Sequence, residues 1–346
     1  MKRLVVCCDG TWNSADQQAN GKPCPTNVVK LAYRVAKHDG ATPQIVFYDQ
    51  GVGTGNVLDR WTGGAFGEGL EDNIFDAYRF LIANYEDGDE IFLFGFSRGA
   101  FTARSIAGMI RKVGILKRTC VDKYAAALKA YTDANLHPDD APAADFRHNN
   151  SCGIDQNIPI RFIGVWDTVG ALGVPLRGLR WLTRRNVQFH DTELSKIVQT
   201  ACHALAIDEH RAPFEPTLWL EKPKPNQTVE QMWFPGVHSD VGGGYAEVDL
   251  SDISLQWMLD KAIAAGLALD ESVLNGRPLS PKPTGKIHDS KTGLYNLTRG
   301  IDRPIGVGGT QSVHPSAIMR WDADTSYRPR NLRAYLAATN DPRAKN

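Results

Sequence analysis

The sequence has no net charge, no long apolar run and no paired-cysteine motif. Its 346 residues carry 39 Lys and Arg against 39 Asp and Glu, so no overall field gathers nucleic acid or an anionic surface, and any such attraction has to come from a local patch. The one apolar run near the N-terminus, Leu4–Cys8 in MKRLVVCCDG, is interrupted by Asp9 and Gly10. That is too short for a signal peptide, and no later run approaches the roughly 20 residues of a membrane-spanning helix. These absences lead to the expectation of a protein that is cytoplasmic as synthesised, with any export following a route that reads no N-terminal signal. The six cysteines, at positions 7, 8, 24, 120, 152 and 202, contain no CxxC pair, and no His stands at zinc-finger spacing. They read as reduced thiols; Cys7 and Cys8, adjacent on a strand, should point to opposite faces of a sheet. Internal repeats and low-complexity tracts are also missing.

What remains is an ordinary globular composition, 42% hydrophobic and 23% charged, in which short β-type runs alternate with helical patterns. The runs are Arg3–Cys8, Gln44–Tyr48, Glu90–Phe94, Ile160–Trp166 and Gln231–Val237. Thr26 reads as the N-cap of a helix with Val28, Leu31, Ala32 and Val35 as its apolar positions. Further helices are expected over Leu70–Asn84, Ala100–Val113 and Asp122–Ala134. This alternation predicts an α/β architecture, a mostly parallel central sheet with helices on both faces, in the manner of the α/β-hydrolase fold. The whole chain, 1–346, is expected to form one such domain. Surface excursions are expected at about 135–157 and 269–309, where the sequence is polar or rich in Gly and Pro, and at about 171–190.

Chemistry enters at Glu90-Ile-Phe-Leu-Phe-Gly-Phe-Ser-Arg-Gly-Ala-Phe. A buried-type strand runs into G-x-S-x-G (Gly95–Gly99) and then into a helix. The pentapeptide alone has low specificity; the strand before it and the helix after it make it a candidate nucleophile elbow. Ser97 would sit at the apex of a strained turn, Gly95 and Gly99 would remove the Cβ atoms that collide there, and the helix N-terminus would supply N–H groups to a developing oxyanion. The first oxyanion donor is expected from the backbone of Arg98, and the second from Gly10 or Thr11 in the loop after the first strand.

Four segments in order, VVCCDGTWN (Val5–Asn13), GFSRGAF (Gly95–Phe101), GVWDTVGALG (Gly164–Gly173) and WFPGVHSDVGGGY (Trp233–Tyr245), resemble the catalytic domain of the type VI secretion phospholipase effectors. ALAIDEHRAPF (Ala204–Phe214) extends the likeness. The resemblance implies an α/β-hydrolase fold and a Ser, Asp, His triad, with the nucleophile on Ser97, the acid on Asp167 and the base on His238. It also implies a lipid or other ester substrate and no cofactor.

The residues themselves leave alternatives open. Asp167 and His238 each follow an apolar strand, where a carboxyl end delivers side chains to an active-site rim; the bland reading of Asp167 is a turn or cap aspartate. His203 reads as a packed or surface residue of a helix. His314, in SVHPSAIMR, is a rival base, and Asp240 would then be a rival acid. Asp9, Asp167, His238 and Asp240 could instead hold a hard cation in a metal-dependent phosphoesterase, although no dedicated metal spacing is present. The GVGTG run at Gly51–Gly55 lacks the Lys-Ser/Thr of a phosphate loop. A catalytically silent binding protein of the same fold is a third possibility.

The stretch Ala171–Arg185 holds Leu172, Leu176, Leu179 and Leu182 at helical spacing, beside Arg177, Arg180, Trp181, Arg184 and Arg185, with no acid. Such a basic, Trp-bearing stripe is suited to a phospholipid interface, where arginines meet phosphates; a core-packed segment with a solvated basic face would look similar.

Overall fold

The computed structural model describes residues 1–10, 13–51, 65–153, 158–169, 194–220, 222–292 and 300–345. Its strands are β1 (Arg3–Cys8), β2 (Gln18–Ala19), β3 (Lys22–Pro23), β4 (His38–Asp39), β5 (Thr42–Asp49), β6 (Glu90–Phe96), β7 (Ile160–Trp166), β8 (Val198–Ala206), β9 (Thr228–Phe234) and β10 (Gln311–Val313). Its helices are α1 (Asn27–Ala32), α2 (Ala65–Asn84), α3 (Arg98–Val113), α4 (Tyr124–Thr132), α5 (Ala141–Asn150), α6 (His238–Gly242), α7 (Ser251–Ala264), α8 (Glu271–Gly276), α9 (Pro315–Ala323) and α10 (Arg330–Ala338).

Among the described residues one eight-stranded sheet runs in the order β10-β9-β8-β7-β6-β1-β5-β4, and β2 and β3 form a separate hairpin. Every pairing in the large sheet is parallel except that of the short edge strand β4 with β5. A parallel sheet needs cover on both faces, and its central strands are apolar on both sides. Leu4, Val6 and Cys8 face one core with α2 and α3, whereas Val5 and Cys7 face the other with α1 and α7. The two adjacent cysteines therefore do point to opposite faces. All six cysteines are free thiols. A third apolar cluster joins Trp233 to Trp321, Leu332 and Leu336 beneath α9 and α10. The expected α/β fold is the one observed. No helix among the described residues is long and apolar enough to cross a membrane.

Several local expectations need correction. Val198–Ala206 is strand β8 in the middle of the sheet, and His203 stands on it fully buried, not on a helix. The Ala-Cys-His-Ala-Leu-Ala run has helical propensity, but pairing with β7 and β9 on both edges overrides it. The polar stretch 135–157 contains α5, and the helix expected from Asp122 begins instead with a 3-10 turn over Arg118–Lys123. Thr26 caps α1 as expected, accepting from the Val29 amide, but α1 ends at Ala32 and Val35 bridges to Leu269 beyond it. β10 had no signal in its three residues.

Candidate active site

Because β6, β7 and β8 run parallel, their carboxyl ends deliver side chains to one edge. Phe96 pairs with Trp166 and Trp166 with Ala204, so Ser97 and Asp167 leave neighbouring strands at the same height. The Ser97 amide donates to the Trp166 carbonyl at 3.0 Å. Ser97 lies at φ 57°, ψ −119°, a left-handed position costly for a residue with a side chain, and α3 begins at the next residue. A Cβ on Gly95 would come within 2.3 Å of the Gly99 carbonyl oxygen, and one on Gly99 within 2.2 Å of the Cys8 carbonyl oxygen. The elbow turn therefore needs both glycines, Gly95 because the turn folds back over it and Gly99 because α3 packs directly against the end of β1.

Asp167 is also at positive φ, 40°, and is fully buried. Its Oδ2 lies 2.6 Å from His238 Nδ1. His238, the first residue of α6, follows the loop after β9; its ring packs on Phe96 at 4.6 Å between centroids and edge-on to Phe214 at 4.9 Å. Phe96 precedes Ser97, so the imidazole is packed against the residue that leads into the elbow. Burial lowers the His238 pKa, with the Asp167 hydrogen bond and charge opposing it. Burial alone would push the Asp167 carboxyl up, but the Arg303 charge and the His238 hydrogen bond outweigh it and hold the carboxyl far below the usual range.

Two partners escaped the sequence reading. Arg303, fully buried, donates through Nη1 and Nη2 to the two Asp167 oxygens at 2.7 and 3.0 Å. Glu209, also buried, accepts from the Arg211 side chain at 2.8 and 2.9 Å, from Ser290 Oγ at 3.0 Å and from the His238 backbone amide at 3.3 Å. Glu209 lies within the family-like stretch Ala204–Phe214, which was a signal for its location though not for its role. Arg303 lies in Gly-rich and Pro-rich sequence with no periodicity, and nothing there marked it.

The other candidates are placed elsewhere. His314 caps α9, its Nδ1 accepting from the Ser316 amide at 3.2 Å while its ring stacks on Phe234; burial lowers its pKa to about 4. Asp240 accepts from the Val237 and His288 amides and lies 2.6 Å from His288 Nδ1, so its imidazole partner is His288 and not His314. The Asp9 carboxylate takes hydrogen bonds from Thr26 Oγ1 and Tyr48 OH, both at 2.8 Å. Burial nevertheless pushes its pKa up to about 6. Asp9, Asp167 and Asp240 are thus each committed to separate partners, and the positive charge against Asp167 comes from Arg303. Among the described residues no group of acidic, His or Cys side chains is arranged to hold a metal.

Gly10 does reach the elbow, since a Cβ there would stand 3.3 Å from Ser97 Cβ. Its amide donates to Asp9 Oδ1 at 2.7 Å. The Arg98 amide opens α3 beside Ser97. Thr11, the GVGTG run beyond Gly51, and Arg177, Arg180, Trp181 and Arg184 lie outside the described residues.

Comparison with known proteins places this site in context. The family model for "T6SS, Phospholipase effector Tle1-like, catalytic domain" matches residues 2–261. The uncharacterized protein YEL023C of Saccharomyces cerevisiae is 30% identical over 244 residues, covering 64% of this chain and 33% of its own length. Two solved structures are similar: an uncharacterized protein from Pseudomonas aeruginosa, with TM-score 0.46 and 21% identity over 78% of this chain and 46% of that one, and the Tle1 effector bound to the VgrG spike of the type VI secretion system, with TM-score 0.43 and 19% identity over 71% and 51%. This chain spans about a third of the curated relative and about half of each solved chain.

Proposed function

This chain belongs to the Tle1-like phospholipase effector catalytic-domain family, and from that premise we propose that it is a serine ester hydrolase of the phospholipase type, with Ser97, His238 and Asp167 as its triad. The observation that carries the proposal is the buried Asp167–His238 pair at 2.6 Å, formed beside an elbow that holds Ser97 at φ 57°.

The chemistry follows from the proton positions. With the Nδ1 proton held by Asp167, the imidazole lone pair is on Nε2, the atom that takes the Ser97 hydroxyl proton as Oγ attacks the ester carbonyl. The imidazolium so formed is stabilised by an acid that stays ionised. The tetrahedral oxyanion is stabilised by the Arg98 amide at the N-terminus of α3, where the helix dipole adds to the hydrogen bond. The alkoxide leaving group collects the proton from Nε2, and water then attacks the acyl-enzyme with His238 again as base. Lowered by burial, the His238 pKa keeps the ring neutral, and so able to accept a proton, at neutral pH. Neither the metal-dependent reading nor the silent-protein reading has a specific observation in its favour.

The test is lipid-resolved product analysis on phospholipid vesicles with the protein and its Ser97→Ala variant, alongside labelling by a fluorophosphonate. Release of fatty acid and lysophospholipid, with labelling and turnover both lost in a folded Ser97→Ala variant, is expected. Unchanged turnover in that variant would overturn the proposal.

A further inference from the structure

The part of the chain beyond the family match, which ends at residue 261, reaches back to the triad acid through the Arg303 side chain. Arg303 follows a segment pinned at both ends: the Ile301 amide donates to the His210 carbonyl at 2.9 Å, and the Arg303 carbonyl accepts from Asn331 Nδ2 at 3.1 Å, a side chain that also donates to Ile207 at 2.8 Å. The guanidinium is fully buried. Its Nη1 is shared between Asp167 Oδ1 and the Ala206 carbonyl at 2.9 Å, and its Nη2 between Asp167 Oδ2 and the Phe214 carbonyl. A planar fork tied to two backbone carbonyls has no rotational freedom left, so it fixes the plane of the carboxylate as well as its charge. The Ala206 amide also donates to Asp167 Oδ1, at 3.0 Å.

We propose that Arg303 is a positioning residue for the hydrolytic reaction: it fixes the plane of the Asp167 carboxylate and turns it toward His238 Nδ1, so that the base is aimed at the elbow. The proposal rests on the triad reading given above. It makes the region after residue 261 part of the working site through a contact to the acid.

The direction of the pH effect follows from charge. The acid and base form one coupled unit, which gains a proton as pH falls. A buried cation against that unit opposes the gain, wherever the proton settles, and so lowers the pH at which the base is lost. Among the described residues, the other charged or titratable groups around the pair are Glu209 and Arg211 beside His238, and His203, itself near Arg104, beside Asp167. Glu209 and Arg211 are bonded to each other, and His203 is held neutral by burial, its pKa near 3. Among the described residues, Arg303 is the cation that touches the acid.

The experiment compares Arg303→Met and Arg303→Lys with the unaltered chain in kcat, KM and the pH dependence of kcat/KM on a phospholipid, with far-UV circular dichroism to verify folding. Arg303→Met is expected to lower kcat by about 10²-fold at nearly unchanged KM and to move the acid limb of kcat/KM to higher pH. Arg303→Lys, which keeps the charge and loses the fork, is expected to lower kcat while leaving the acid limb in place. In an Asp167→Asn background, Arg303→Lys should have little further effect on kcat, because its action runs through that carboxylate. A folded Arg303→Met variant with unaltered kcat and pH profile overturns the proposal. If Arg303→Met does not fold, Arg303→Lys decides: full kcat, or a loss equally large without Asp167, overturns it as well. Failure of the triad reading is recognised separately, by turnover that survives Ser97→Ala in the unaltered chain.

Discussion

Ionised carboxylates are rarely taken fully out of water, because the cost is several kcal/mol unless bonds and charge offset it. Asp167 is offset by Arg303, His238 and the Ala206 amide together, and this separates it from two other buried aspartates, Asp9 and Asp208. Among the described residues, Asp9 and Asp208 have only neutral donors within bonding distance, and burial raises both to about 6. The difference sets the expected order of mutant effects. His238→Ala and Asp167→Asn should each lower ester turnover by about 10⁴-fold, whereas His314→Ala and Asp240→Asn should change it by less than about tenfold, since those residues cap α9 and hold the His288 segment. Steady-state kinetics on the four folded variants checks this, and a dead His314→Ala beside an active His238→Ala would reverse the assignment. The acid limb of kcat/KM should lie below the ordinary histidine value of 6.5, because burial disfavours the imidazolium. A pH–rate profile with its midpoint above 6.5 would contradict that cause.

At the scale of single elements, α3 offers a controlled comparison. Helix propensity favours Ala over Gly by about 1 kcal/mol in a helix, and Gly108, where an added Cβ would have no neighbour within 4 Å, should gain from that change. Gly99 has the Cys8 and Asp9 carbonyl oxygens 2.2 and 2.4 Å from the point its own Cβ would occupy. Gly108→Ala is therefore expected to raise stability by up to about 1 kcal/mol, and Gly99→Ala to lower it by about 2–4 kcal/mol and impair the elbow. Urea denaturation of the two variants measures both signs, and equal effects would deny that close packing on β1 dictates Gly99. A second expectation concerns Ala171–Arg185, whose basic, Trp-bearing pattern suits a lipid interface. Anionic vesicles should be hydrolysed faster than soluble short-chain esters, with the excess removed by high salt and by Arg180→Glu with Arg184→Glu. Equal rates on both substrates would reject the docking role and leave the triad untouched.

For the molecule as a whole, the acid side of the stability profile carries a signature of the sheet core. His203, on central strand β8, accepts the Thr168 amide at 3.1 Å through Nε2, and burial lowers its pKa from 6.5 to about 3. Between those values the unfolded chain binds a proton that the folded chain does not, so stability falls as pH drops from 6.5 toward 3. Asp9 and Asp208 act in the opposite sense between 3.8 and about 6, where the folded state holds the extra proton. The overall profile therefore mixes both signs, and a difference measurement isolates one. The stability gap between the unaltered chain and His203→Gln should narrow as pH falls from 7 to 4, measured by chemical denaturation at each pH. A constant gap would mean that His203 does not titrate differently in the two states.

Local signals sufficed for whatever a short stretch of chain dictates to itself. The sequence alone determined the α/β class from alternating periodicity, the cap at Thr26 from its own hydroxyl, and the turn at Gly95–Gly99 from a pentapeptide set between an apolar strand and a helix. It also placed Ser97, Asp167 and His238 as candidates, each at the end of an apolar run. It misread β8, because Ala-Cys-His-Ala-Leu-Ala has no strand preference of its own and becomes a strand only between β7 and β9. It left His238 against His314 open, because the contact that separates them is a distant one: His238 meets Asp167 from 71 positions away, whereas His314 only caps its own helix through the Ser316 amide. Arg303 and the role of Glu209 were illegible for the same reason. Arg303 meets Asp167 across 136 positions of chain, and the pairing of a buried charge with a distant partner is decided by the closure of the sheet and its loops, which no local pattern encodes.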